Sequence, residues 1–306
     1  GFMREALEQP PTDLQIMYGI GMERDLAERE LDHLEGYRKS RPVRTGNGAY
    51  NQRQMDLYGH LLEGALTYRE LGGNISIEVR EALGRIADYV AGCWNEPDLG
   101  LWEMRSAPRH FVHSKAMCWV VIDRAIRLVG ERPDWVALRN RMWDDILARG
   151  RSPEGAFLQA YSPPDIAQSD AALLQLHMMG LPAGMETLRR TREAVERELR
   201  RGDYLLRYTG EDGVAGSEGG FFVCSFWLVD ALLYEGKGEE ARTLYERLLG
   251  CANDVGLYAE ECDPESSALL GNFPQAFTHL GLVESAANLE LFEKHGAAGL
   301  RGTYAD

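Results

Sequence analysis

The sequence predicts an all-α protein, a toroid built from helical hairpins. Apolar residues recur at helical spacing along almost the whole chain, and no run of alternating β-branched residues bounded by turn residues interrupts them. Helices are expected near residues 49–72, 76–94, 112–129, 133–149, 169–180, 184–200, 219–236, 238–250 and 273–294. The connections between them fall into two kinds, short and long, that alternate.

The short connections are Gly72-Gly73-Asn74-Ile75, Gly130-Glu131-Arg132, Gly180-Leu181-Pro182-Ala183 and Gly236-Lys237. Glycine closes one helix in each, with proline at the start of the next in two of them, so each marks an αα-hairpin. The long ones span about 37–48, 95–111, 150–168, 201–218 and 251–272, more irregular chain than a domain carries without a functional reason. When antiparallel helix pairs follow one another, all short connections lie at one end and all long ones at the other, which makes the long-loop end a single functional face. The hairpins share no literal repeat, which favours a toroid over a solenoid.

Composition excludes whole classes of function. The 306 residues carry 33 Lys+Arg against 48 Asp+Glu, a formal charge of -15 that repels nucleic acid and anionic membranes alike. No stretch of about 18 apolar residues could span a bilayer, and the opening Gly1-Phe2-Met3-Arg4-Glu5 has no charged region leading into an apolar one, so a cytoplasmic location is expected. Cys93, Cys118, Cys224, Cys251 and Cys262 are odd in number and widely spaced, which predicts reduced packing residues. The histidines form no HExxH or Cys-His cluster, so neither a metal nor another cofactor is expected.

Two long segments carry the residue types that sugar chemistry needs. In Asp98-Leu99-Gly100-Leu101-Trp102-Glu103-Met104-Arg105 an acid stands beside a large aromatic and a cation. An aromatic face packs on the C–H face of a pyranose, arginine donates to hydroxyl oxygens, and a carboxyl among apolar rings can stay protonated to serve a leaving oxygen. The competing reading is a surface pair between Glu103 and Arg105. The second segment, Asn253 to Pro264, holds the adjacent acids Glu260 and Glu261, which cannot both ionise comfortably in a dry site. One acid from each segment would suit an inverting hydrolysis, whose carboxyls stand about 6.5–9.5 Å apart with a water between. Trp119 and Trp227, inside apolar helices, are expected in the core.

Several strings resemble glycoside hydrolase family 15, the bacterial glucoamylases, trehalases and glucodextranases. They are Arg41-Pro42-Val43-Arg44-Thr45-Gly46-Asn47-Gly48-Ala49 with Gln52, Gln54 and Asp56; the Trp102-Glu103 segment; Phe111-Val112-His113-Ser114-Lys115; Leu206-Arg207-Tyr208; Glu218-Gly219-Gly220-Phe221; and Gly271-Asn272-Phe273-Pro274-Gln275. Their joint order makes the resemblance specific. It implies an (α/α)6 barrel whose members release glucose from α-glucosides with inversion, with Glu103 as general acid and Glu260 as general base. Trp102, Arg105, His113, Lys115, Arg207, Glu218, Gln275 and Asn47 would bind substrate, an α-glucoside or oligosaccharide.

The chain departs from that pattern. His60 replaces an acidic residue, and Asp165-Ile166-Ala167-Gln168-Ser169-Asp170 replaces a Leu-Asp-Ala pattern. The family's Trp-x-Arg-Asp motif, which grips the terminal glucose, is absent, and nine long helices stand where six pairs need twelve. The expectation is therefore one domain over residues 1–306 that lacks N-terminal helices, exposes apolar helix faces, and has low or no activity alone unless an N-terminal segment or homo-oligomer completes it. The motifs lean towards trehalase. The alternative from another class is an inactive toroid that binds carbohydrate or protein; a terpene-cyclase-like toroid lacks its Asp-rich clusters here.

Overall fold

In the computed structural model, which describes residues 2–161, 169–208 and 218–300, the chain divides into two units, Gly1–Asp144 and Asp145–Asp306. The first runs α1 (Phe2–Leu7), β1 (Arg29–Glu30), β2 (Arg44–Thr45), α2 (Asp56–Glu70), α3 (Ile77–Cys93), α4 (Val112–Leu128) and α5 (Pro133–Arg149), whose last turn belongs to the second. The second continues with a 3-10 helix (Ala171–His177), α6 (Met185–Leu199), β3 (Arg200–Arg201), β4 (Tyr204–Leu205), β5 (Gly220–Phe221), α7 (Phe222–Tyr234), α8 (Gly238–Leu249), β6 (Glu261–Cys262), β7 (Leu269–Leu270) and α9 (Ala276–Leu300).

The first unit is organised on α4, which is buried on almost every side and leaves only Ile126 and Arg127 part-exposed. Helices α2 and α3 pack on it. Gly59 sets how closely α2 approaches: a Cβ there would stand 2.6 Å from Met117 Cε and 3.0 Å from Met117 O. Helix α3 starts at Ser76, whose hydroxyl accepts from the Val79 N–H, and buries Leu83, Ile86, Ala87 and Val90 at helical spacing. The cation buried in α4, Arg124, is satisfied by Glu63 and Asp123.

The second unit is organised on α7, whose sequence Phe222-Val223-Cys224-Ser225-Phe226-Trp227-Leu228 is apolar all round and buried except at Trp227. Helices α8 and α9, the 3-10 helix and β4 pack on it. Strands β3 to β7 form one antiparallel sheet in chain order, each only two residues long. Helix α9 turns Thr278, Gly281, Ser285 and Leu289 inward and leaves Phe277, Leu280, Val283 and Leu291 exposed, an apolar strip on its other side. The break at Gly296, with φ +64°, matches the expected end of this helix.

Four expectations need correction. The first long helix begins at Asp56, not near residue 49, because residues 49–55 are spent on turns that hold the loop before α4. The element expected over 169–180 is a 3-10 helix: the Asp170 carboxylate caps Ala172 N, and Ala171 N is tied to Arg207 O, so the entering chain is anchored before a regular turn can form. The helix expected from 219 starts at Phe222, since Gly220 and Phe221 pair with Cys262 and Glu261 in the sheet. Trp227 is half-buried rather than core, whereas Trp119 is 5% exposed as expected. Within each unit long connections do meet: 47–52 touches 103–104, and 204–205 pairs with 220–221, which pairs in turn with 261–262. Residues 165–168 of the departing segment lie outside those described.

Candidate active site

Glu103 sits in a loop whose two ends are tied together. Asp98 and Arg109 exchange both backbone hydrogen bonds, 2.9 and 2.8 Å, closing the chain around residues 99–108. The Asp98 carboxylate, 2% exposed, accepts from Met55 N at 2.9 Å and so joins the loop to the start of α2. Burial pushes Asp98 up, and pushes nearby Asp56 up to about 7 with the charge of Asp98 adding to it. From the first turn of α4, the Lys115 ammonium donates to the carbonyls of Trp94 and Glu96.

On this base Glu103 adopts a left-handed backbone, φ +55°, uncommon for a non-glycine residue and a form of strain that functional sites tolerate. Its half-buried carboxyl receives the Asn47 Nδ2–H at Oε2, 2.9 Å away. Gln52 Nε2 donates to Met104 O at 3.2 Å and reaches Glu103 O at 3.5 Å. The surface pair between Glu103 and Arg105 does not form: Arg105 Nη2 donates instead to Glu28 Oε2 at 3.1 Å. Glu28 also accepts from Gly48 N, and that bond with the Arg105 and Arg44 cations holds its carboxyl below the usual range.

Glu260 sits where the sheet ends. Its backbone N–H donates to Asn272 O at 2.9 Å, its carbonyl accepts from Phe222 N at 3.1 Å, and its Oε2 accepts from Asn272 N at 3.1 Å. The next residue, Glu261, is locked in register with Phe221 and Leu270, and its Oε2 accepts from Gly219 N at 2.9 Å. Burial pushes Glu261 up; the Gly219 N–H and the Arg207 charge pull it back, and Glu260 adds to the rise. Arg207 pairs with Glu218 and lies over the Phe221 ring, 5.0 Å from its centroid.

The sequence-predicted residues thus fall into two groups. Asn47, Trp102, Glu103, Arg105, His113 and Lys115 belong to the first unit, and Arg207, Glu218, Glu260 and Gln275 to the second. Trp102 is half-buried beside Glu103, and Arg105 is exposed. His113 and Lys115 are buried, at 3% and 1% exposed. Gln275 Oε1 accepts from Thr278 N at 3.0 Å and caps α9. Sequence reasoning missed Glu28 altogether; Asn272 and Gly219 stand in the matched strings, but nothing there marked their N–H groups as donors to Glu260 and Glu261.

The family model for glycosyl hydrolases family 15 matches residues 1–287. The chain belongs to this family. Among curated relatives, it is 44% identical over 285 residues to a trehalase of Mycolicibacterium smegmatis and 42% identical over 285 residues to one of Mycobacterium tuberculosis. In both cases the match covers 90% of this chain and 42% of the relative, so the chain spans less than half their length. A bacterial glucoamylase solved with acarbose shares the fold, with a TM-score of 0.66 at 13% identity over 84% of this chain and 44% of that one. The family 15 fold is the all-α toroid class expected from the alternating connections. Among the described residues no helix is long and apolar enough to cross a membrane.

Proposed function

We propose that the chain carries the catalytic carboxyls of a trehalase- or glucoamylase-type hydrolase of α-glucosidic bonds, with Glu103 as general acid and Glu260 as general base. The observation that carries this reading is the 44% identity to a trehalase across 90% of the chain, which also favours trehalose as the substrate. The setting of the two acids supports it: each presents a half-buried carboxyl with one oxygen held by a single N–H and the other left for chemistry.

In the step we propose, a water oxygen bonds to the anomeric carbon as the bond to the glycosidic oxygen breaks. Glu260 takes the proton from the water, and Glu103 gives its proton to the leaving oxygen. The anomeric configuration inverts and no covalent sugar–enzyme bond forms. Trp102, Arg105 and Arg207 would bind sugar, while His113, Lys115 and Gln275 would support the loops that present the acids.

We also propose that residues 1–306 are part of a larger (α/α)6 catalytic domain and that a further helical segment covers the strip of Phe277, Leu280, Val283 and Leu291 on α9. Its support is the exposure of that strip together with the 42% coverage of the trehalase relatives.

Sugar release from trehalose, maltose and isomaltose, followed by polarimetry, tests the reading on the intact natural protein. Glucose released from maltose first as the β-anomer is expected; release as the α-anomer rejects inversion. Glu103→Gln and Glu260→Gln should each lower turnover by about a thousandfold while substrate still binds. Binding without any turnover in the unaltered protein would leave a carbohydrate-binding toroid.

A further inference from the structure

Asn47 was expected among the residues that grip the sugar. We propose instead that it is a positioning residue for the general acid, fixing which oxygen of Glu103 carries the proton; this rests on the reading of Glu103 given above.

The orientation of the Asn47 amide follows from its neighbours. Its backbone N–H donates to Leu26 O at 2.9 Å, and its side-chain oxygen accepts from Ala49 N at 2.8 Å. A backbone N–H can only donate, so the atom facing Ala49 is the amide oxygen, and the atom 2.9 Å from Glu103 Oε2 is the amide nitrogen. That nitrogen can only donate in turn. Oε2 therefore accepts, and a proton on the carboxyl is favoured on Oε1, because a carbonyl oxygen accepts the amide N–H better than a hydroxyl oxygen does. A hydroxyl on Oε2 facing Asn47 would set hydrogen against hydrogen.

The same segment also holds the acid's backbone. Gln52 N donates to Ala49 O at 2.8 Å, and the Gln52 amide bridges to the carbonyls of Glu103 and Met104. Gln54 Nε2 donates to Gln52 Oε1 at 3.2 Å, which leaves the Gln52 nitrogen facing those carbonyls. Residues 47–54 thus act as a template for the loop, and Asn47 is the part of it that reaches the carboxyl.

Asn47→Ser separates the two jobs of this side chain. Serine can still accept from Ala49 N, so the turn survives, but it is too short to reach Glu103. Asn47→Asp also keeps the turn but puts an acceptor against an acceptor. The intact natural protein and both variants would be assayed on trehalose, whose leaving alcohol needs a proton, and on α-glucosyl fluoride, whose leaving fluoride needs far less help.

The expected result is an unchanged melting temperature for Asn47→Ser, with kcat on trehalose down about tenfold to a hundredfold and KM within about twofold. Activity on the fluoride should fall far less, as it should for Glu103→Gln. Equal rises in KM on both substrates with kcat kept would make Asn47 a sugar ligand and overturn the proposal. An Asn47→Ser variant that matches the unaltered protein in every assay would overturn it as well. A crystal structure of Asn47→Ser tests the same point without reference to activity: the Glu103 carboxyl should leave its place, and an unmoved carboxyl would reject the positioning role. Failure of Glu103→Gln to spare the fluoride would point instead at the assignment of the acid.

Discussion

Gly271 stands directly against Glu260. With φ at +71°, a Cβ added there would lie 2.7 Å from Glu260 Oε2 and 2.9 Å from Glu260 Cβ, while the next N–H, that of Asn272, donates to the same Oε2. The absence of a side chain at 271 is thus what leaves the carboxyl its place. Gly271→Ala should lower kcat on trehalose about tenfold or more with KM little changed, and should cost about 1–2 kcal/mol of stability through the left-handed backbone. Steady-state kinetics beside thermal melting check both effects.

Lys115 gives a second expectation. Its ammonium, 1% exposed, serves the carbonyls of Trp94 and Glu96 at the start of the loop that carries Glu103. Lys115→Met keeps the bulk and removes the donors, so stability should fall by about 3 kcal/mol. Denaturant melts measure it. An unchanged midpoint would return Lys115 to the sugar-binding residues.

The buried contact between α7 and α9 should make stability depend on pH. Asp230 is fully buried, and burial pushes its carboxyl up to about 8. Ser285 Oγ lies 3.2 Å from Phe226 O and 3.0 Å from Asp230 Oδ2. A hydroxyl has one proton to give, so a protonated Asp230 can supply the second. Because the folded value exceeds the unfolded one, near 4, this contribution is complete below about pH 4 and is lost as the pH rises through 8. The melting temperature should fall across that window, and Asp230→Asn should flatten the fall, gaining about 5 °C relative to the unaltered chain at pH 9.

The strip on α9 separates the chain from the longer protein proposed around it. Phe277 and Leu280 are 66% and 63% exposed. Leu280→Lys should leave the melting temperature of residues 1–306 within about 1 °C, since it removes no packing. In a longer protein whose added segment covers the strip, the same change should lower it by several degrees. Differential scanning calorimetry on both forms compares them.

The sequence disclosed the helices that matter to the core because a helix buried on one side repeats at 3.6 residues, and α3, α5 and α8 fall within a residue or two of where that period puts them. It could not disclose β3 to β7, since two residues are too few to show alternation, and those short strands are what set Glu261 in register. It also could not separate accessible side chains from buried ones within a motif. Lys115 and Trp102 sit in equally suggestive motifs, yet one is 1% exposed and the other half-buried, a difference made by α4 and not by the motif. The partner of Arg105 was missed for a related reason: Glu28 lies 77 positions away and belongs to no motif.

The left-handed backbone at Glu103 has an evolutionary cost. An asparagine or glycine would sit at φ +55° with less strain, so replacing this glutamate should make the fold harder to melt while removing the proposed acid. Selection for heat resistance alone would drift towards such replacements, and the turnover proposed for Glu103 is what would hold a glutamate in so uncomfortable a place.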